Sequence, residues 1–408
     1  MQRRDCHGLC MPRILILAGE ASGDLHGAGL AKSLLELSPG IELEGLGGSK
    51  MEAAGVRLLS GIERLDIIGV PTWSELRRAL AVFKKLSQHI ANTPFDAVVL
   101  IDNPGLNLRL ARVAKRSGRR VIYYIAPQIW AWHESRVKKL RKYVDRLLAI
   151  LPFEEDYFRK AGVDCVFVGH PIMDQLHLPY DVGGLRQEFG LDPKAKVIGL
   201  LPGSRKSEIQ RLLPAMLEAA GRLIGAGRAE GGPPRQVVLA HAPALPRALI
   251  DQHISQSGVP VTVISERPYD TIAVSDALMV TSGTATLQTA LVGRPMTIVY
   301  RTSALTYAIS RRLIKVPWLG LANLIAGRQI AKEVIQDDVT GERLARETEA
   351  LLAEPGRFEE AESVGRELRA KLGASGASQR AAAEIIAMIG QPPGETPRQG
   401  IAGTRNTG

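Results

Sequence analysis

Three cysteines, Cys6, Cys10 and Cys165, are all that this chain of 408 residues carries. Cys6 and Cys10 share a spacing found in zinc sites, but no second pair accompanies them, so idle reduced thiols are the expectation. No apolar stretch approaches the ~18 residues that a membrane-spanning helix needs. The N-terminus, MQRRDCHGLCM, lacks the apolar core of a secretory signal, so export is not expected. The sequence has neither a Walker A lysine motif nor a G-x-G-x-x-G fingerprint. A metal-dependent sugar transferase shows paired aspartates just after a strand. Asp337-Asp338 shows no strand pattern before it and is expected to be solvated surface charge.

What is present is ordinary globular material: 45% apolar residues and a length that calls for two domains. A net charge of +10 points to an anionic partner, whether nucleic acid, a phosphorylated ligand or an acidic membrane.

Short apolar runs alternate with helical patterns. Arg13 to Ala18, Ala97 to Ile101, Val121 to Ile125, Leu147 to Ile150 and Val166 to Val168 are strand signals in the first half. After a Pro- and Gly-containing stretch the pattern restarts at Val197 to Leu201, Gln236 to Ala240, Val261 to Ile264, Ala277 to Val280 and Met296 to Val299. Strands spaced by helices imply parallel, doubly wound sheets. The expected division is an unstructured extension over 1–12, one Rossmann-like domain over 13–171 and a second over 172–341. Helices over 342–389 would follow, packing back on the first domain, then a disordered tail over 390–408. Two such domains would bind ligands in a cleft between the carboxyl ends of their sheets.

Two loops have the makings of anion sites. Pro202-Gly203-Ser204-Arg205 joins a strand to a helix, so glycine, free helix-start amides and a guanidinium would converge on one anion. A capped turn with a solvated arginine is the alternative. Ser282-Gly283-Thr284-Ala285 repeats the design, and its alternative is a helix N-cap by Ser282 or Thr284. Asp102 follows a buried strand directly. Its carboxylate could take a proton from an attacking hydroxyl, or cap the Asn103-Pro104-Gly105 turn. Glu20 and Asp24, in the first strand-to-helix loop, carry the same two readings. His133 and His170 are the histidines best placed near the cleft, although His170 could equally be a hinge residue.

Basic and apolar residues mix in two places. Leu76, Leu80, Phe83, Leu86 and Ile90 share one face of a helix over Trp73 to Ile90, flanked by Arg77, Arg78, Lys84 and Lys85. Between Asp276 and Glu333 there are seven Lys or Arg and no acid; the apolar segment around Trp318 falls there. Each is either an interfacial element on anionic lipid or an ordinary helix on its own core. A further basic run, Arg136, Lys138, Lys139, Arg141, Lys142 and Arg146, is not accompanied by any nucleic-acid motif.

Five ordered segments, Gly19 to Asp24 (GEASGD), Pro127 to Trp132 (PQIWAW), Leu201 to Arg205 (LPGSR), Ser282 to Leu287 (SGTATL) and Asn323 to Arg328 (NLIAGR), resemble lipid-A-disaccharide synthase. The likeness runs from about Arg13 to Ile389. It implies an α/β protein of GT-B architecture: two Rossmann-like doubly wound domains, a cleft between them, and C-terminal helices. It also implies a metal-free, cofactor-free glycosyltransferase joining UDP-2,3-diacylglucosamine to 2,3-diacylglucosamine 1-phosphate. The product would be a β-1,6-linked disaccharide phosphate, made at the cytoplasmic face of the inner membrane.

The implied partners are therefore an acylated UDP-sugar donor, an acylated sugar-phosphate acceptor and an anionic membrane surface. A homo-oligomer is compatible with this reading, and nucleic acid is not a partner. By the likeness Asp102 matches the candidate general base and Arg205 the arginine serving the diphosphate. Gly203, Ser204, Ser282, Gly283, Thr284, Ala285 and Gln288 would bind UDP. Glu20, Ser22, Asp24, Trp132, His133, Asn323 and Arg328 would face the acceptor or the cleft. The chain departs from the family pattern at Gly105, where an aspartate is frequent, so no paired-carboxylate account is expected for Asp102. It departs again at Gln288, in place of a glutamate, where weaker donor binding is expected.

Overall fold

The computed structural model describes residues 11–59, 73–126, 134–229, 231–243, 245–303, 307 and 317–390. Residues 1–10 and 391–408, Trp132, His133 and most of 304–316 lie outside them. Within the described residues the chain divides at Pro171 into two units.

The first unit holds β1 (Arg13–Ala18), β2 (Glu42–Leu46), β3 (Arg57–Leu58), β4 (Ala97–Ile101), β5 (Arg120–Tyr124), β6 (Arg146–Ala149) and β7 (Cys165–Phe167). They form one parallel sheet in the order β3-β2-β1-β4-β5-β6-β7. Every residue of β4 is buried, and all but the first of β1. Helices cover both faces, which is why these strands are unbroken apolar runs rather than alternating ones. The helices are α1 (Ala21–Leu37), α2 (Ser49–Ala53), α3 (Trp73–Asn92), α4 (Pro104–Arg116), α5 (Glu134–Tyr143) and α6 (Pro152–Lys160).

The apolar face expected on α3 is divided. Val82, Leu86 and Ile90 are buried, whereas Leu80 is 55% exposed and Phe83 only half-buried. The spacing predicted one stripe because the 3.6-residue period does not say how wide the covering neighbour is.

The second unit contains α7 (Val182–Glu188), β8 (Lys196–Leu201), α8 (Lys206–Ala229), β9 (Arg235–His241), α9 (Arg247–Ser257), β10 (Thr262–Ser265) and α10 (Pro268–Val274). It continues through β11 (Ala277–Thr281), α11 (Thr284–Val292), β12 (Met296–Tyr300), α12 (Leu321–Ala326), β13 (Lys332–Ile335), α13 (Gly341–Ala353) and α14 (Arg357–Leu372). Its sheet, also parallel, has the order β10-β9-β8-β11-β12-β13. Ile209, Leu213 and Met216 of α8 pack on Ile198, Leu200, Val237 and Leu239 to make the main core.

The last helix, α15 (Ala377–Ile389), belongs to the first unit. Gly29 of α1 lets the helix carrying Ser378 approach closely; Arg146 pairs with Glu384 at 2.6 Å, and Arg380 donates to the Val168 carbonyl. Of the helices over 342–389, then, α13 and α14 stay with the second unit and only α15 packs on the first.

Candidate active site

In both sheets the strand order reverses once, between β1 and β4 in the first unit and between β8 and β11 in the second. Adjacent strands there send their following loops apart, which opens a crevice at the carboxyl edge where doubly wound sheets take ligands. The loops after these four strands carry Glu20 to Asp24, Asp102, Gly203 to Arg205, and Ser282 to Ala285.

In the first unit Asp102 and Asn103 both adopt left-handed backbone, at φ +48° and +41°. Two such non-glycine residues in succession are costly and persist only where neighbours fix them. Here the Asp102 N–H donates to the Tyr124 carbonyl, and its own carbonyl accepts from Asn107 Nδ2 at 2.8 Å and from the Tyr123 hydroxyl. Asn103, not Asp102, caps α4 by accepting from the Leu106 N–H. The Asp102 carboxylate is therefore spared the capping role. Burial, then the neighbouring Glu20 carboxylate, push its pKa up to about 6 against the pull of the Asn103 N–H.

Glu20 begins α1 without capping it, and Ser22 is exposed on the first turn. A second carboxylate thus acts on Asp102 through its charge, from a different loop and without a partner at position 105. A Cβ on Gly19 would collide with the Asn103 amide, so glycine there lets the two loops nest.

Asp24 is not available for acid–base work. It is 4% exposed and accepts from the N–H groups of Gly48 at 2.7 Å and Met51 at 3.1 Å, holding the start of α2. His170 is buried, and burial followed by the charge of nearby His26 lowers its pKa to about 3. It serves as neutral interior.

In the second unit Gly203 has φ +116°, which lets the loop turn its amides toward one point. A carboxylate occupies that point. The N–H groups of Ser204 and Arg205 donate to Glu208 Oε2 at 2.9 and 3.2 Å, and the Arg205 guanidinium lies 3.3 Å from Oε1. The Arg205 side chain is 55% exposed. This seat holds an anion of the protein's own. Its sequence signal, a glutamate in the third position of α8, is half of a capping box.

In the neighbouring loop Gly283, at φ +140°, is the N-cap of α11, and no side chain caps that helix. Neither Ser282 nor Thr284 caps it: the Ser282 hydroxyl donates to the Leu319 carbonyl at 2.9 Å, and Thr284 is exposed. The first turn of α11, including half-buried Ala285, is left open to an anion. Gln288 lies one turn on, beside the Tyr269 hydroxyl.

Asn323 does not line an open surface, and Arg328, though exposed, is already paired. Asn323 is fully buried, donating to the Ala331 carbonyl and Glu333 and accepting from the Ile330 and Ala331 N–H groups. Glu333 also accepts from the Leu319 and Gly320 N–H groups. The asparagine therefore braces the segment that holds Ser282. Arg328 is in a two-pronged pair with Glu367 at 2.9 and 2.6 Å. Among the described residues no cluster of three or more His, Cys, Asp or Glu could hold a metal ion.

A family model for lipid-A-disaccharide synthetase matches residues 14–388. The lipid-A-disaccharide synthase of Geobacter metallireducens is 41% identical over 383 residues, covering 93% of this chain and 98% of its own. That of Myxococcus xanthus is 40% identical over 384 residues, covering 94% and 98%.

The chain belongs to the lipid-A-disaccharide synthase family.

It is accordingly a glycosyltransferase of lipid A biosynthesis. Solved structures agree on the GT-B fold. Staphylococcus aureus MnaA with UDP matches at TM-score 0.63 and 13% identity over 94% of this chain and 99% of that one. The calicheamicin glycosyltransferase CalG4 matches at 0.57 and 15% identity over 94% and 99%. No helix among the described residues is long and apolar enough to cross a membrane.

Proposed function

We propose that the chain transfers 2,3-diacylglucosamine from UDP to the 6-hydroxyl of 2,3-diacylglucosamine 1-phosphate. The observation that carries this reading is the content of the two sheet reversals: a carboxylate with a raised pKa at one, amide-lined anion loops at the other. Asp102 takes the proton of the acceptor hydroxyl, whose oxygen attacks the anomeric carbon as the bond to the UDP oxygen breaks. The configuration inverts, giving the β-1,6 disaccharide 1-phosphate and UDP. Arg205, with the helix starts after Gly203 and Gly283, takes up the charge on the departing diphosphate, a role that preorganised dipoles fill without a metal. Gln288 is assigned to the nucleotide, and Glu20 and Ser22 to the acceptor side. Binding is peripheral, at the cytoplasmic face of the inner membrane.

The test is UDP release by pure protein in detergent. Both acylated substrates together should be required. Turnover of unacylated UDP-N-acetylglucosamine without acceptor would overturn the reading in favour of sugar epimerisation.

A further inference from the structure

Several arginines on the helix surfaces of this protein are answered by carboxylates one helical turn away: Arg222 by Glu218, Arg247 by Asp251, Arg357 by Glu354. One region gathers cations without such partners. Between α3, α4 and α5 lies a groove of about 670 Å³. Arg109, Arg112 and Arg116 line it from α4, and Lys138, Lys139 and Lys142 from α5. All six are exposed, and among the described residues none forms an ion pair. Residues 104–116 contain no acid. The floor is apolar: Phe83, Leu108, Val113 and the ring of Tyr143. One turn before Phe83, Leu80 stands out into solvent.

Six like charges held around one cavity repel one another. We infer that the groove is a site for one anionic glycerophospholipid, its phosphate on the two rows of cations and its acyl chain on the Phe83–Val113 floor. An apolar volume of this size suits a hydrocarbon chain, which a polynucleotide lacks. Cations at the rim over buried aliphatic contact are the arrangement by which interfacial elements hold acidic lipid.

The site is separate from the candidate active site. The α4 residues stand roughly 10–20 Å along the helix from the turn bearing Asp102, at 1.5 Å per residue. The Lys138–Lys142 segment, just before β6, lies toward that same far edge of the sheet. The inference rests on the membrane part of the proposed function and is independent of the transfer chemistry.

Calorimetric titration of the full chain with dihexanoyl phosphatidylglycerol, below its micelle concentration, tests it. One lipid should bind saturably. Dihexanoyl phosphatidylcholine and glycerol 3-phosphate, lacking the charge and the chains respectively, should each bind at least tenfold more weakly. Arg112→Gln, Arg116→Gln and Lys139→Gln together should weaken binding about a hundredfold, at roughly fivefold per cation near a lipid phosphate. Phe83→Ser with Val113→Ser should weaken it while leaving UDP release in detergent at the wild-type rate.

The control carries Lys160→Gln, Lys194→Gln and Arg346→Gln, the same charge change on other faces, and should bind as wild type. An equal loss in that control would reduce the effect to net charge and overturn the inference. So would non-saturable binding, equal affinity for glycerol 3-phosphate, or displacement of the lipid by a short single-stranded RNA of comparable affinity. Absence of UDP release in the wild type would refute the proposed reaction and leave this outcome untouched.

Discussion

Asp102→Asn separates catalysis from architecture because the structure sets opposite signs on the two. The substitution keeps an oxygen that accepts from the Asn103 N–H, and asparagine tolerates the left-handed backbone at φ +48°. It removes only the ability to take a proton and the negative charge. Loss of a general base should lower turnover by about 10²–10⁴-fold, with the affinity for UDP unchanged. Stability should move the other way.

Burial and Glu20 raise the pKa of Asp102 from 3.8 to about 6. Between those values the folded state holds more protons than the unfolded one, so stability falls as pH rises through the window. At pH 7.5 the ionised carboxylate costs up to about 3 kcal/mol at 1.36 kcal/mol per unit. An uncharged asparagine recovers part of that and should raise Tm by a few degrees. The assay is kcat and KM for UDP release, UDP affinity by calorimetry and Tm by differential scanning, on one preparation. Near-normal turnover would remove Asp102 from the chemistry. A fall in Tm alongside the loss of activity would show a structural role.

Glu20→Gln should move the acid limb of the kcat profile to lower pH, because the Glu20 charge is part of what raises Asp102; an unmoved limb refutes the coupling. Arg205→Ala should cost roughly 1.5–3 kcal/mol of donor or transition-state binding, whereas Glu208→Gln, by removing the carboxylate already seated on the loop, should tighten UDP; titration calorimetry reads both, and wild-type affinity in each variant would make the loop a simple turn. His26 and His170 are neutral in the fold, with pKa lowered by burial to about 4 and about 3. The unfolded chain takes up their protons first, so stability should fall as pH drops from 6.5 toward 4; a urea midpoint flat over that range would contradict this.

Strands buried on both faces were legible because they are uninterrupted apolar runs: RILILA and AVVLI are β1 and β4. β2 was not, because its sequence, ELEGL, carries two glutamates. Glu44 is tolerated at 3% exposure because Arg13, Arg57 and His89 all bond to it, and those partners come from three separate elements. β3, two residues long, and β13, KEVI, lacked a pattern of their own; pairing to a neighbour makes them strands. A chain-local reading has no access to such partners, and the reversal between β1 and β4 becomes visible only once β2 and β3 are placed beyond β1.

The same limit sorted the site residues. Residue type and position after a strand brought out Glu20, Asp24, Asp102, Arg205, Asn323 and Arg328 together, since each is polar and sits in a loop, a short helix or the first turn of a helix. What divides them is who answers each polar group. Asp24 and Asn323 are met by backbone amides and carbonyls from other segments, and Arg328 by Glu367, 39 residues away. The Asp102 carboxylate was freed by its neighbour: Asn103 took the cap, so the preceding residue could be spent on chemistry. Glu208 was passed over for the converse reason. As a helix-start glutamate it looks like an ordinary cap, and its meaning comes from the glycine at +116° and the two amides that converge on it. A loop whose amides converge on its own carboxylate is one whose amides are already aimed. That preorganisation is what a departing diphosphate requires, and the charge now seated there is what it must displace.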